Sequence, residues 1–515
     1  MLSSIGLFIL CGIVFYVLRK FHRYHNLKFP LPPGPRGFPL VGNIFDFPTS
    51  RYGEAFAAMT AKYGNVVHLT LFGKPVILLG SYDAAIDLLE KRSANYSDRP
   101  RSIMAELTGY DRWVFVLMQY GQQWRSHRRI LAHTFHPDSL ERAQPMLTSV
   151  ARNFLKSVAT SPTRFSEHIG FTFADAMMRV VYGIHLTDRT DRFFQMAETI
   201  VHVGSVMSTP GAFAVDTFPI LRYVPPWFPG GHFKKLAAAW AVQTLSYRDE
   251  LFEAGMASKD QYFSDSLIGT VMGSISDTTS STRDLEEACR GAAATAYAGG
   301  ADTTYTAVYT FFLAMAIHQD AQKQAQAELS AVVGSDRLPE FHDRSSLPFM
   351  NALIKEVLRW HVISPMGVPH QCVADDVYEG YRIPQGSLVI PNIWAMARDE
   401  SAYPDADCFR PERFLRDGKI NPDMRDPATF VFGFGRRICP GLHFVDMSLF
   451  ITFASILHVF DIGPELDEHD EPVPVRMKFN ETSLTARPEM FGCSIQPRSE
   501  QAALLVHSLC DEQGA

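Results

Sequence analysis

The sequence predicts a mainly α-helical fold with small β-sheets: one large helical domain with a smaller β-rich part, and a transmembrane helix ahead of it. Three observations predict this. Most of the chain between its two strand-rich regions repeats apolar residues at a helical period. The strand-like runs are few and short, and an uncharged stretch from Leu2 to Leu18 opens the chain. Hydrophobic residues form 46% and charged residues 20% of the 515, proportions of a globular chain that exclude a disordered scaffold.

The elements follow in chain order. As a helix, Leu2 to Leu18 reaches about 26 Å, against about 30 Å for a bilayer core. No basic residue precedes it, whereas Arg19, Lys20 and Arg23 follow directly. That order argues against a cleaved signal peptide and puts the body on the cytosolic side. Residues 1–20 are therefore expected to form a single-pass anchor, with a core helix as the alternative. Residues 29–37 hold Pro30, Pro32, Pro33 and Pro35 and cannot continue a helix, so they are expected to form a semi-rigid hinge. An ordinary linker has the same composition. Val66 to Leu71 and Lys74 to Leu79 flank Phe72-Gly73 as a β-hairpin, and a second extended pair surrounds Glu379-Gly380 between Val377 and Ile390. The longest helix is expected from Leu285 to His318, about 50 Å, after a Ser/Thr/Asp-rich stretch that supplies N-caps. No internal repeat divides the body, which is read as one domain over 38–500 with a C-terminal tail over 501–515.

Charge and cysteines narrow the class. Lys plus Arg number 48 against 55 Asp plus Glu, a net charge of -7 that disfavours nucleic acid as a partner. The seven cysteines are scattered with no C-x-x-C pair, neither a disulfide framework nor a zinc ribbon. Any chemistry by a cysteine is expected of one alone.

The most informative segment runs from Phe432 to Gly441. Gly433-x-Gly435 lacks the third glycine of a dinucleotide loop, since Ile438 stands there, and no strand-turn-helix context surrounds it. The other readings are a buried, inert cysteine in a turn, or a thiolate at Cys439 whose sulfur is approached by backbone amides, a soft axial ligand for haem iron. The segment matches F-x-x-G-x-R-x-C-x-G at every fixed position and so resembles the haem signature of the cytochrome P450 superfamily. The resemblance implies the fold of that superfamily, Cys439 as axial ligand of haem b (iron protoporphyrin IX), Phe432 beside it and Arg437 on a propionate.

Three further segments carry the same resemblance. Glu356 and Arg359 are three apart on a helix and share a face, a pairing common on solvated surfaces. With Arg413 in Phe409-Arg410-Pro411-Glu412-Arg413-Phe414 they resemble the family's structural Glu-Arg-Arg lock. Gly299 and Gly300 lie inside the long helix, where each costs about 1 kcal/mol against alanine. A flat ligand close to the backbone, a widening helped by a threonine back-bond, or a packing kink each account for them. In the resembled family this groove binds O2, and Asp302 and Thr303 match its acid-alcohol pair, which delivers protons during oxygen activation. Trp124 and Arg128 sit one helical turn apart and resemble the family's propionate-binding pair, with His370 as a further propionate ligand or a surface histidine. Arg125 and Arg129 are expected on a basic face where a reductase docks.

The resemblance implies a haem-thiolate monooxygenase of the endoplasmic reticulum membrane, acting on an apolar small molecule. Its electrons are expected from a separate NADPH-cytochrome P450 reductase, with cytochrome b5 as a second candidate donor. The segments Val224 to Gly230 and Tyr381 to Pro384 look like fungal secondary-metabolite members; Phe444-Val445 departs from the family's usual Leu-Ala. By analogy Val114, Phe115, Ala301, Ile363, Met366, Val368 and Leu484 line the substrate pocket, although such residues equally form core. A haem-thiolate isomerase or dehydratase, or a haem carrier or sensor, shares Cys439 but has no need of Asp302 and Thr303. A hydrolase is disfavoured by the lack of a G-x-S-x-G elbow.

Overall fold

The computed structural model describes residues 29–209, 211–275, 280–469, 471–475, 477–480 and 485–511. The expected anchor and the pocket candidate Leu484 lie outside them.

The helices that position the site are α1 (Gln122–Thr134), α2 (Phe165–Tyr182), α3 (Arg192–Ser208), α4 (His232–Met256), α5 (Ser280–Ile317), α6 (Pro348–Trp360), α7 (Leu442–Val459) and α8 (Glu500–Asp511). At 38 residues α5 is about 57 Å long. It packs against α1, α2, α3, α4, α6 and α7 and so organises the helical part. Its small and apolar residues, from Ala292 through Phe311 to Ala316, are buried in one core with α2 and α7. Helix α7 is apolar all round, with a mean hydropathy of 1.6, and 78% of it is buried inside the protein, so it is an interior helix. Pro348 opens α6 where the missing N-H is no loss. The Glu328 carboxylate accepts from the next two amides, Phe349 N at 2.8 Å and Met350 N at 2.9 Å.

The β-rich part is a four-stranded sheet in the order β1 (Val66–Leu71), β2 (Lys74–Leu79), β6 (Leu388–Pro391), β3 (His370–Gln371). The hairpin β1-β2 is antiparallel with the expected bounds, and its turn residues Phe72 and Gly73 have φ of 47° and 80°. Two positive φ values match the twist of the flanking strands. The second extended region divides. β4 (Asp376–Tyr378) and β5 (Tyr381–Ile383) pair as a ribbon round Glu379-Gly380, while β6 leaves it to lie parallel to β2. Three two-stranded pairs follow: β7 (Leu415–Arg416) with β8 (Lys419–Ile420), β9 (Phe460–Pro464) with β12 (Cys493–Pro497), and β10 (Phe479–Asn480) with β11 (Arg487–Pro488). The sheet has its own core of Val67, Leu69, Val76, Leu78 and Ile390.

Two expectations change. The proline-rich stretch is not a free spacer but a strap laid on the sheet. Pro33 O accepts from His68 N at 3.0 Å and Pro30 O from Arg382 N at 2.7 Å. Gly34 lies so close that a Cβ there would sit 2.0 Å from His68 O. Nor does the body stop at residue 500. Ala502, Val506 and Leu509 recur at helical spacing along α8 and are buried in the main core.

Candidate haem and oxygen site

The loop before α7 is bent by two glycines in the left-handed region, Gly433 (φ 82°) and Gly435 (φ 55°). Gly435 has no room for a side chain, since a Cβ would lie 2.2 Å from Leu89 O. Its amide donates to Glu90 Oε2 at 2.6 Å, and Cys439 N donates to Phe432 O at 2.8 Å, closing the loop beneath the half-buried Phe432. Cys439 thus stands just ahead of the first turn of α7. Burial pushes its thiol up, while the Gly441 amide and the Arg128 charge favour the thiolate.

Around this loop the chain gathers cations. Arg437 is buried, donating through Nε to Ser97 O and through Nη2 to Met118 O, both at 2.7 Å. Its guanidinium lies 4.7 Å from the centre of the Trp124 ring. Arg128 Nη1 donates to Ile438 O at 2.6 Å. Strand β3 delivers His370, whose Nδ1-H donates to Tyr96 O at 2.6 Å. Arg99, which no sequence motif marked, donates to Val368 O, Pro369 O and Val116 O. Burial, then the charge of Arg437, lowers Arg99 well below the usual guanidinium range; burial, then Arg99, does the same to His370. Burial brings Arg437 down to about 10.

Two buried donors in this cluster, Trp124 Nε1 and Arg437 Nη1, have no hydrogen-bond partner among the described residues. Unpaired buried donors among crowded cations call for anionic acceptors. A porphyrin bearing two carboxylates, its metal held by a lone thiolate, has that chemistry. The residues present therefore fit haem, with Cys439 toward the metal and Trp124, Arg128, Arg437 and His370 toward the carboxylates.

Helix α5 carries Gly299, Gly300, Asp302 and Thr303, the residues expected from the resemblance to form an oxygen groove. Thr303 Oγ1 donates back to Gly299 O at 2.7 Å, a back-bond of the kind offered as one of the accounts of the glycines. The two glycines differ in their surroundings. Gly299 has open space where a Cβ would point, whereas a Cβ on Gly300 would lie 2.6 Å from Met177 Sδ of α2. Helix packing therefore accounts for Gly300. Asp302 is ion-paired with Arg487 of β11, a partner the sequence reading missed.

The lock is closed. Glu356 and Arg359 are fully buried and joined by two bonds of 2.7 and 2.8 Å, and Arg413 Nε reaches Glu356 Oε1 at 3.2 Å. Arg359 also donates to the carbonyls of Ala397, Ala406 and Cys408, and Arg413 to those of Pro404, Asp405 and Cys408. One residue before Glu356, Lys355 pairs with Asp426, whose carboxylate accepts from Ala428 N at 3.0 Å at the start of the short helix leading into Phe432. Helix α6 thereby holds both the lock and the approach to the cysteine loop.

Among the pocket candidates, Phe115 stacks on Trp124 with ring centres 5.4 Å apart, and its amide donates to Thr295 Oγ1 of α5. Val114, Ala301 and Ile363 join the same helical core. Met366 packs instead on the sheet core. Val368 is half-buried and contributes its carbonyl to Arg99. The departure at Phe444-Val445 is a packing change: both are buried and Phe444 meets Phe135 edge-on. Arg125 and Arg129 are exposed on α1.

A cysteine so placed, a cationic collar and a helix carrying an acid-alcohol pair define a haem-thiolate class of enzyme. The cytochrome P450 family model matches residues 32–490. The chain is 37% identical over 94% of its length to cytochrome P450 monooxygenase COX2 of Coprinopsis cinerea, covering 92% of that protein. It is 39% identical over 97% of its length to cytochrome P450 monooxygenase 208 of Postia placenta, covering 96% of it. Against claR, a cytochrome P450 monooxygenase of Ampulloclitocybe clavipes, identity is 38% over 94% of this chain and 89% of that protein. This chain belongs to the cytochrome P450 family and is a cytochrome P450 monooxygenase with a haem-iron cofactor.

Proposed function

We propose that this protein uses haem b to insert one atom of O2 into an apolar organic molecule of fungal secondary metabolism, by hydroxylation or epoxidation. The fungal relatives, all named as monooxygenases, support the class. The observation that carries the proposal is the lone Cys439 at the head of α7, within a cationic collar where Trp124 Nε1 and Arg437 Nη1 are buried with no acceptor among the described residues. Haem, when bound, supplies the one-electron and oxygen chemistry, held here by a thiolate. The protein's own residues do the rest. Trp124, Arg128, Arg437 and His370 orient the cofactor through its carboxylates, and the Gly441 amide steadies the Cys439 sulfur. Asp302 collects protons and Thr303 passes them into the groove at Gly299, so that two electrons and two protons carry the second oxygen atom away as water.

The electrons come from a separate NADPH-cytochrome P450 reductase, with cytochrome b5 as an alternative donor, and the exposed Arg125 and Arg129 offer a basic docking face. The protein is placed in the endoplasmic reticulum membrane by Leu2 to Leu18, body toward the cytosol. Leu40 is 88% and Trp227 78% exposed; beside Leu40, Val41 O accepts from Phe72 N of the hairpin turn at 3.2 Å, and the Phe72 ring meets Phe218 of the segment leading to Trp227, an apolar face suited to a lipid surface. The test is a reduced carbon-monoxide difference spectrum of wild type and Cys439→Ser. A strongly red-shifted Soret band lost in the variant is expected; no such band from folded, haem-loaded wild type overturns the proposal.

A further inference from the structure

Residues Asp302, Tyr305 and Tyr309 recur at helical spacing on one stripe of α5. The stripe is covered by the chain from Arg487 to Phe491. Phe491 N donates to Tyr309 Oη at 3.2 Å, and the rings of Tyr309 and Phe491 lie 4.7 Å apart. At the head of this cover, Arg487 pairs with Asp302 and lies 5.0 Å from the centre of the Tyr305 ring. A third element contributes as well. Glu198 of α3 is close enough for its charge to act on Arg487, although the two share no hydrogen bond. Glu198 is exposed, yet nearby protein still pushes its carboxyl up by desolvation. A guanidinium from the covering strand is thus tied to the Asp302 carboxylate and lies over the Tyr305 ring.

We propose that Arg487 is a positioning residue for proton delivery: its ion pair fixes the direction and charge of the Asp302 carboxylate beside Thr303. The inference rests on the proton-delivery role proposed for Asp302. A carboxylate on a free rotor samples many directions, whereas proton transfer needs hydrogen-bond reach or one bridging water. A guanidinium fork anchored on a strand restricts that rotor. Lysine at 487 keeps the charge but not the fork; methionine and glutamine keep the bulk but not the charge.

The test has two independent readouts on the purified haem-loaded protein. The first is product formed per NADPH consumed, with peroxide release, for Asp302→Asn, Arg487→Met, Arg487→Gln and Arg487→Lys. Both uncharged variants are expected to fall to within about twofold of Asp302→Asn, while Arg487→Lys keeps more than half of the wild-type coupling. The second is thermal unfolding of the wild type, the Asp302→Asn and Arg487→Met variants and their combination. The double variant is expected to lose less than the single losses added together. Uncoupling by Asp302→Asn with wild-type coupling in both uncharged Arg487 variants overturns the inference and leaves the role of Asp302 standing. Wild-type coupling in Asp302→Asn overturns that role and this inference with it. Additive thermal losses likewise refute a direct pairing.

Discussion

Replacing Glu356 by glutamine tests the physical account of the lock. In the wild type one fully buried carboxylate serves two guanidiniums, Arg359 through two bonds and Arg413 through a third, and also accepts from Arg410 N at 2.7 Å. Glutamine keeps the volume and one acceptor but removes the only charge that balances the two cations in the lock. Stranding a buried charge by removing its partner costs about 3–5 kcal/mol. Unfolding entropy of about 2.1 cal/mol/K per residue, over 515 residues, amounts to roughly 1 kcal/mol per degree, so Tm is expected to fall by about 3–5 °C. Circular dichroism melts of Glu356→Gln, Arg413→Met and the double variant measure this. Because the cations compete for one acid, removing Arg413 relieves part of the strain left by glutamine, and the double variant loses less than the two singles added. A Tm drop below 1 °C for Glu356→Gln, or strictly additive losses, refutes the reasoning.

Gly300→Ala is expected to destabilise the protein by about 1–3 kcal/mol through the clash with Met177, and Met177→Ala is expected to recover part of that loss; equal melts for Gly300→Ala and wild type contradict the packing account. Arg437→Met removes the buried Nη1 donor, which has no acceptor among the described residues, so it is expected to weaken haem retention during dialysis while the folded protein keeps its helical signal; unchanged retention removes Arg437 from the collar. Burial lowers the His361 ring to about 4, and its Nε2-H donates to Ala486 O at 3.0 Å. Its folded pKa lies below the ordinary 6.5, so the unfolded chain binds the extra proton. The resulting stability is complete above about pH 6.5 and is lost as pH falls toward 4, by up to about 3 kcal/mol. Unfolding titrations between pH 7 and 4 are expected to show a shallower slope in His361→Asn.

What could be read from the chain follows from how local each feature is. Cys439, with its glycines and arginine, lies within one loop, and Trp124 with Arg128, or Glu356 with Arg359, within one helical turn. Patterns of that kind survive in a linear sequence. The hairpin at Phe72-Gly73 was legible for the same reason. Arg99, Arg487, Glu198 and Thr295 were not, because each acts through a partner more than a hundred residues away and no spacing marks it. Composition also misled at both ends. Prolines 30 to 35 look like a spacer, but their carbonyls find donors on the sheet, and α8 looks like a tail until its three buried residues are placed against the core. The paired glycines at 299 and 300 show the limit of pattern: one faces open space and the other a methionine, which only packing distinguishes.

The strap over β1 bears on solubility. β1 is the outer strand of its sheet, and an outer strand offers unpaired amides and carbonyls to any other chain. Here those groups are occupied: His68 N by Pro33 O, Thr70 N by Asn43 Oδ1, and Thr70 O by Asn43 N. The prolines of the strap have no N-H of their own to extend the ladder outward. A shortened protein beginning at residue 38 would leave the His68 end of that edge bare and tend to self-associate through it, whereas one beginning at residue 29 would keep it covered.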